Sequence, residues 1–154
     1  PGDITASVTI GNFTTIGPEV QMHSRTQHPC IQHPLLVSSS SGRSIPGYPK
    51  PYAENDITIG HDVWIGRNVV LLGGITIGHG AIIGAYSVVA KDIPPYAVVV
   101  GNPAQIKRYR FDEDTIKNLL SIGWWDWPDE VIAERADALR DVRALIAEHG
   151  YDIY

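Results

Sequence analysis

Three histidines, spaced five residues apart, are the side chains in this sequence best suited to chemistry near neutral pH. They are His23, His28 and His33, in the segment HSRTQHPCIQHP. An imidazole with a pKa of about 6.5 can take a proton from an attacking hydroxyl or amine, so histidine is a common general base. Imidazole nitrogens also bind zinc. A general base and a metal site are therefore both open from these residues alone.

A six-residue repeat on either side of this segment indicates the fold that must position the histidines. After the segment, an aliphatic residue leads each repeat and a small or apolar residue follows four positions later. The leading residues are Ile59, Ile65, Leu71, Ile77, Ile83 and Val89. The following residues are Val63, Val69, Ile75, Ala81, Ser87 and Ile93. The same register precedes the segment at Ile4, Ile10, Ile16 and Met22. Residues 22–56 break the repeat and form a long excursion, and long loops in compact folds are often functional.

This repeat length favours a solenoid over other all-β folds. A period of six suits neither a helix nor a strictly alternating strand, whereas hexapeptide repeats are typical of a parallel β-helix. In such a fold the leading aliphatic residues stack in the core, and the recurrent glycines supply turn backbone that a Cβ would hinder. An antiparallel sandwich of many short strands is the alternative.

Composition and charge exclude several classes of function. The chain has 154 residues, of which 19% are charged, a net charge of −5 and a single cysteine. These values argue against a nucleic-acid-binding surface and an internal disulfide framework. No apolar run is long enough to span a bilayer and no signal peptide leads the chain, so we expect a cytoplasmic protein.

The charged residues divide the chain into two parts. Residues 1–105 carry eleven charged residues and residues 106–154 carry eighteen. We therefore predict a β-helix domain over 1–105, interrupted by the excursion, and a helical extension over 106–154.

The segment Ile57–Phe111, which ends in AKDIPPYAVVVGNPAQIKRYRF, resembles the hexapeptide-repeat acyltransferases. The resemblance covers roughly residues 4–111. It implies a left-handed parallel β-helix with three hexapeptides per eighteen-residue coil, and a homotrimer with active sites between subunits. It also implies an acetyltransferase with acetyl-CoA as cosubstrate, no metal, and a small acceptor that carries a hydroxyl or an amine. A sugar or polysaccharide precursor is the leading acceptor.

The same resemblance assigns roles to particular residues. The family's general base is a loop histidine followed by proline, which in IGPEVQMHSRTQHP matches His28; His33 and His23 are the alternatives. The positions that match the family's coenzyme A contacts are Arg67, Ala85, Ala90, Lys91 and Arg108. Because Arg67 and Ala85 are eighteen residues apart, they should stack on successive coils, with Trp64 near the same wall. Solvated surface charge is the alternative for Lys91 and Arg108. Cys30 could be a nucleophile, but the family transfers the acyl group directly.

The tail narrows the resemblance to the xenobiotic acetyltransferase subgroup, through the pattern RFDEDTIKNLLSIGWWDWP. Asp112 and Gly123 read as the N-cap and C-terminal glycine of a short helix. A second helix is expected from near Pro128 to before Gly150, and we expect the clustered tryptophans to pack against the coils. The excursion departs from the subgroup's pattern after its histidine, so an antibiotic acceptor is an alternative to the sugar.

The sequence leaves open the role of a second histidine pair and the class of the protein. His61 and His79 are eighteen residues apart and should stack on one face, either as an exposed pair or as a metal site. A zinc lyase of the γ-carbonic anhydrase type, with ligands among His23, His28 and His33, and a non-enzymatic assembly module are the alternatives to an acetyltransferase.

Overall fold

The computed structural model describes residues 7–23 and 56–149. Three turns of chain each contribute one strand to each of three sheets. The first turn forms β1 (Val8–Ile10), β2 (Thr15–Ile16) and β3 (Gln21–His23). The second forms β4 (Ile57–Ile59), β5 (Trp64–Ile65) and β6 (Val70–Leu72), and the third forms β7 (Ile75–Ile77), β8 (Ile82–Ile83) and β9 (Val88–Val89).

The pairing of these strands shows that the chain winds as a three-sided parallel coil. The first sheet has the order β1-β4-β7, the third sheet has the order β3-β6-β9, and the second sheet contains β2, β5 and β8. Every pair among these strands is parallel, and Ile57 lies opposite Ile75, eighteen residues on. This arrangement agrees with the predicted coil length and contradicts the antiparallel sandwich.

The core of the coil consists of the residues that the repeat places inside. All six leading residues from Ile59 to Val89 and all six following residues from Val63 to Ile93 are buried. Ser87 is the one polar member, and its hydroxyl donates to the Gly84 carbonyl at 2.7 Å. The first turn differs, because Ile10 and Ile16 are exposed although they hold the same register.

Left-handed backbone makes the corners between the sheets. In each turn of the coil, the first corner leads from the first sheet to the second. The second corner leads from the second sheet to the third, and the third corner leads from the third sheet back to the first. The left-handed residues of the first corner are Phe13, Asp62, Gly80 and Tyr96, and those of the second corner are Glu19, Asn68 and Tyr86.

After the third turn, two longer strands end the second sheet. β10 (Ala97–Val100) pairs parallel with β8, and β11 (Gln105–Tyr109) pairs antiparallel with β10. The predicted boundary at residue 105 therefore falls just inside β11, and the division into two domains stays a prediction.

The tail begins with the helix that its capping residues predict. Helix α1 spans Glu113–Ile122, the Asp112 carboxylate accepts from the Thr115 amide, and Gly123 ends the helix in the left-handed conformation. A turn of 3-10 helix, Trp124–Asp126, follows.

The prediction of one long second helix is wrong. Three short helices replace it: α2 (Asp129–Glu134), α3 (Ala136–Arg140) and α4 (Val142–Glu148). Asp141 has extended backbone, and its carboxylate accepts from the amides of Arg143 and Ala144, so it starts a new helix instead of continuing the old one. This break lets Leu145 and Ile146 become buried in the tail's own core, with Tyr96 and Leu119.

Candidate functional site

The second corner brings Arg67 and Ala85 together, as their spacing predicts. The amide that follows Ala85, that of Tyr86, donates to the Arg67 carbonyl at 3.0 Å, and the Asn68 amide donates to the Pro18 carbonyl one turn below at 3.0 Å. A Cβ on Gly66 would lie 2.6 Å from the Ala85 nitrogen, so glycine is needed for this close stacking. Arg67 and Ala85 are both exposed, so their backbone and side chains are accessible from outside the coil.

The third corner holds Ala90 and Lys91. Since Leu71 lies opposite Val89, the register places Ala90 beside Leu72 and Lys91 beside Gly73 in the turn below. Lys91 is exposed and Ala90 is half-buried.

The excursion leaves and re-enters the coil at this same third corner. The Gly73 amide donates to the carbonyl of His23, the last described residue before the excursion, at 2.7 Å. The Gly74 amide donates to the carbonyl of Asp56, the first described residue after it, at 3.1 Å. Both ends of the excursion are therefore fixed one layer below Gly73 and Gly74, and two layers below Lys91.

Arg108 lies on a different face from the other predicted cofactor residues. It is on β11 opposite Val98, and the ladder continues through Ile82 to Trp64 across the second sheet. Arg108 is exposed, and its guanidinium donates to the Tyr109 carbonyl at 3.1 Å. Trp64 is 49% exposed and comes three residues before Arg67. The five predicted positions thus occupy three places: the second sheet, the second corner and the third corner.

The candidate general base lies outside the described residues, as do His33 and Cys30. His23 is described: it ends β3, is exposed, and its Nε2 lies 3.1 Å from the Gln21 Oε1.

The two histidines of the first corner stack as predicted, but they are not an exposed pair. The ring centroids of His61 and His79 lie 5.1 Å apart, and the Trp125 ring stacks on both, at 5.4 and 4.8 Å. Trp125 is only 6% exposed, so this tryptophan packs against the coil, as expected. A half-buried histidine pair covered by an indole has a structural role.

Backbone hydrogen bonds select one tautomer of these rings. The Asn12 amide donates to the Nδ1 of His61 at 2.8 Å, and the His61 amide donates to the Nδ1 of His79 at 3.0 Å. Each Nδ1 is an acceptor, which places the proton of the neutral ring on Nε2. Burial, together with the nearby His61, lowers the pKa of His79.

Sequence reasoning missed a second attachment of the tail at the first corner. Arg110 donates to the Asp62 carboxylate at 2.9 Å and to the Gly80 carbonyl at 2.8 Å. Its guanidinium lies over the ring of Tyr96, which is 1% exposed and borders a cavity of about 190 Å³. Burial raises the pKa of the Tyr96 hydroxyl far above its usual value. Arg110 and Asp62 are 48 residues apart with no shared repeat, so no local signal predicts their contact.

Neither a metal cluster nor a membrane span is found in the part of the chain that the structure describes. Within residues 7–23 and 56–149, no three histidine, cysteine, aspartate or glutamate side chains are grouped so as to hold a metal ion. Among the helices in these ranges, none is long and apolar enough to cross a bilayer.

The repeat, the three parallel sheets and the stacked corners define a class of protein in which the chain winds as a three-sided coil of six-residue repeats. Residues 56–91 match the family model described as bacterial transferase hexapeptide (six repeats). Over these residues, which form the second and third turns of the coil, the chain is similar to the hexapeptide-repeat transferases.

Its curated relatives are acetyltransferases. The chain is 54% identical over 79 residues to a chloramphenicol acetyltransferase from Escherichia coli, an alignment that covers 51% of this chain and 38% of the relative. It is 42% identical over 108 residues to the galactoside O-acetyltransferase of Escherichia coli (strain K12), covering 70% of this chain and 47% of the relative. The chain thus spans less than half the length of these two relatives.

A solved structure agrees with these matches. It is a galactoside acetyltransferase in complex with coenzyme A, with a TM-score of 0.52 and 39% sequence identity, covering 70% of this chain and 47% of that one. The hexapeptide-repeat acetyltransferase VCA0836 from Vibrio cholerae gives a TM-score of 0.50 with 36% identity, covering 68% of this chain and 52% of that one.

Proposed function

We propose that this protein is an acetyl-CoA-dependent acetyltransferase that transfers the acetyl group directly to a hydroxyl or amine of a small acceptor. We further propose that its coil is left-handed, that it works as a trimer with active sites between subunits, and that it is cytoplasmic. The arrangement of the third corner supports the proposal most strongly. There, the predicted cofactor positions Ala90 and Lys91 lie on the same corner as the two ends of the segment that carries His28, two layers above them.

In the proposed reaction His28 is the general base. Its neutral imidazole takes the proton from the acceptor hydroxyl or amine as that group attacks the thioester carbonyl. The tetrahedral intermediate carries a negative charge on oxygen, for which amides at the turns of the coil are candidate donors. When the intermediate collapses, the carbon–sulfur bond breaks and the thiolate of coenzyme A leaves. His28 then returns the proton to the thiolate, so the reaction is balanced without a metal or a redox step.

For the cofactor, we propose that the exposed second corner and the two exposed cations hold acetyl-CoA. Arg67 and Ala85 present stacked backbone to the pantetheine arm, because Gly66 allows the two layers to approach closely. Lys91 and Arg108 are exposed and can pair with phosphates. The galactoside acetyltransferase neighbour is solved in complex with coenzyme A, which supports this assignment.

The acceptor has two candidate classes, each favoured by a different relative. The match to the galactoside enzyme extends over more of the chain, which favours a sugar or polysaccharide precursor. The match to the chloramphenicol enzymes is higher in identity but shorter, which favours an antibiotic or other xenobiotic. The sugar class is our first choice because its alignment covers 70% of this chain, against 51% for the chloramphenicol enzyme.

The test is thiol release from acetyl-CoA against a panel of sugars, nucleotide sugars, chloramphenicol and streptogramins. We expect release that depends on one acceptor class and falls by about 10²-fold or more in His28→Ala, as removal of a general base requires. His33→Ala serves as the matched control and should retain activity. Full activity in His28→Ala would move the base to His33 or His23. Tight zinc binding without coenzyme A binding would favour a lyase, and binding of neither would favour an assembly module.

A further inference from the structure

Tyr86, at the second corner, has a backbone conformation that its side chain does not favour. Its φ is +61°, in the left-handed region, where asparagine is several-fold enriched and bulky residues are rare. The same place in the turn below is held by Asn68, also left-handed, whose Nδ2 donates to Glu19 in the first turn at 2.7 Å. The corner can therefore be built with asparagine, and the tyrosine is not needed to form it.

The side chain of Tyr86 also makes little contribution to the packing of the coil. The residue is 67% exposed, the highest value among the exposed large apolar residues of the described chain. Its backbone amide makes the corner's hydrogen bond to the Arg67 carbonyl, and any residue except proline supplies that amide. Among the ring contacts within residues 7–23 and 56–149, none involves Tyr86. An exposed aromatic ring in an unfavourable backbone conformation indicates a role outside the fold.

The neighbours of Tyr86 indicate what that role is. It directly follows Ala85 and lies one layer above Asn68, beside the exposed Arg67. The ring thus stands next to the stacked backbone to which the proposed function assigns the pantetheine arm. That arm is a flexible chain of methylenes, a dimethyl group and two amides. A rigid ring with a phenolic hydroxyl can cover such a chain on its apolar side and hydrogen-bond at its edge.

We infer that Tyr86 is a cofactor-binding residue whose ring covers the pantetheine arm of acetyl-CoA at the second corner. This inference rests on the proposed function and adds a residue that neither the repeat nor the resemblance assigns. It separates the roles of the cofactor residues: Tyr86 holds the arm, while Lys91 and Arg108 hold the phosphates.

The test compares two ligands by calorimetry, so that no acceptor is needed. One ligand is acetyl-CoA, and the other is adenosine bisphosphate, the nucleotide half of coenzyme A. We expect Tyr86→Asn to weaken acetyl-CoA binding by about tenfold while the affinity for adenosine bisphosphate stays unchanged. Tyr86→Phe keeps the ring and should lose much less. Arg108→Ala should weaken the binding of both ligands, because it removes a phosphate contact.

A matched control separates binding from stability. Glu19→Asn makes the same kind of replacement at the left-handed position of the first turn, and it should leave both affinities unchanged. Asparagine suits this backbone conformation, and the bond from Asn68 to Glu19 that the control alters is exposed and contributes little to stability. Neither variant should therefore lower the midpoint of thermal unfolding appreciably.

Three results would overturn the inference. Equal losses for both ligands in Tyr86→Asn would place the ring on the nucleotide, and unchanged acetyl-CoA affinity would remove the contact altogether. In both cases the proposed function stands, because wild type still binds acetyl-CoA. Failure of wild type to bind acetyl-CoA would overturn the inference and the proposed function together.

Discussion

The coil and the helical tail are stabilised in different ways. In the coil, contacts repeat: Ile16, Ile65, Ile83 and Val99 follow one another at the same inward position of the second sheet. In the tail, each contact occurs once, as with Trp125 on the two histidines or Arg110 on Asp62. A repeated contact can be found from its period, whereas a single contact depends on how the chain returns to a particular corner.

The largest loss of stability should come from replacing a core residue that has a stacked neighbour in the layer below and in the layer above. Ile83 is completely buried, with Ile65 below and Val99 above. Ile83→Ala should lower the free energy of unfolding by about 4 kcal/mol, the range for deleting a large aliphatic side chain from a packed core. Ile16 has the same register but is 38% exposed, so Ile16→Ala should cost about 1 kcal/mol, since its site is partly solvated. Urea unfolding measures both losses. Equal losses would contradict the idea that a core residue needs a packed layer on each side to contribute fully to stability.

The sequence predicts the coil because every turn samples the same pattern. The residues from Ile59 to Ile93 at the two repeat positions are all buried, and Arg67 and Ala85 stack because eighteen residues make one turn. The first turn shows the limit of this reasoning. The pattern sets which way Ile10 and Ile16 point, but their burial also depends on a layer on each side.

In the tail, sequence signals that act on adjacent residues predict the first helix correctly, whereas no signal predicts contacts between distant residues. Asp112 and Gly123 delimit α1 because caps act on adjacent backbone. The helical spacing from Ile132 to Ile146 suggests one helix, yet Asp141 caps a new one and the helix breaks there. At the candidate site, period and resemblance locate Arg67 and Ala85. They do not locate Tyr86, whose exposure and left-handed backbone become visible only in three dimensions.

The second largest loss of stability should come from a substitution where the tail packs against the coil. Trp125 stacks on His61 and His79, and its carbonyl accepts from the Asn12 side chain at 3.1 Å. Trp125→Leu should cost about 2 kcal/mol, because leucine keeps part of the apolar burial but loses the stacking. Thermal unfolding followed by circular dichroism measures the loss.

The control for this change is the other stacked tryptophan, Trp127, whose ring packs on His149 within the tail. Trp127→Leu should cost less than Trp125→Leu, since Trp127 is only half-buried. A larger loss for Trp127 would show that the tail's own packing, and not its attachment to the coil, limits stability.

The break between α3 and α4 gives a smaller effect. Asp141→Ala removes the carboxylate that caps α4 and should cost about 1 kcal/mol in urea unfolding, the usual value for an N-cap. Asp137→Ala is the control, because Asp137 lies on α3 and its contact with Arg140 is highly exposed, so it should have almost no effect. Equal losses in the two variants would show that the break at Asp141 does not depend on its cap.

The smallest effect is the pH dependence of the same junction. Burial, together with the nearby His61, lowers the pKa of His79 below its ordinary value, and the nearby Asp126 opposes the shift. The unfolded chain therefore takes up a proton at a higher pH than the folded one does. The stability that His79 contributes is complete above a pH of about 6.5, the unfolded pKa. It falls as the pH drops towards the lowered folded pKa, and the loss stops below that value.

A substitution at His79 isolates this contribution from the other histidines. In His79→Asn, an amide oxygen takes the place of Nδ1 as acceptor for the His61 amide but does not titrate. The difference in unfolding free energy between wild type and His79→Asn should be constant above neutral pH and should shift against wild type as the pH falls. Both proteins keep the other five histidines. His23 and His149 do not act on the pKa of His79, so their contributions cancel, and the difference reports His79 together with its coupling to His61. A difference that does not change between neutral and mildly acidic pH would mean that the histidine stack tolerates its charge, and that the tail's attachment rests on Trp125 and Arg110 alone.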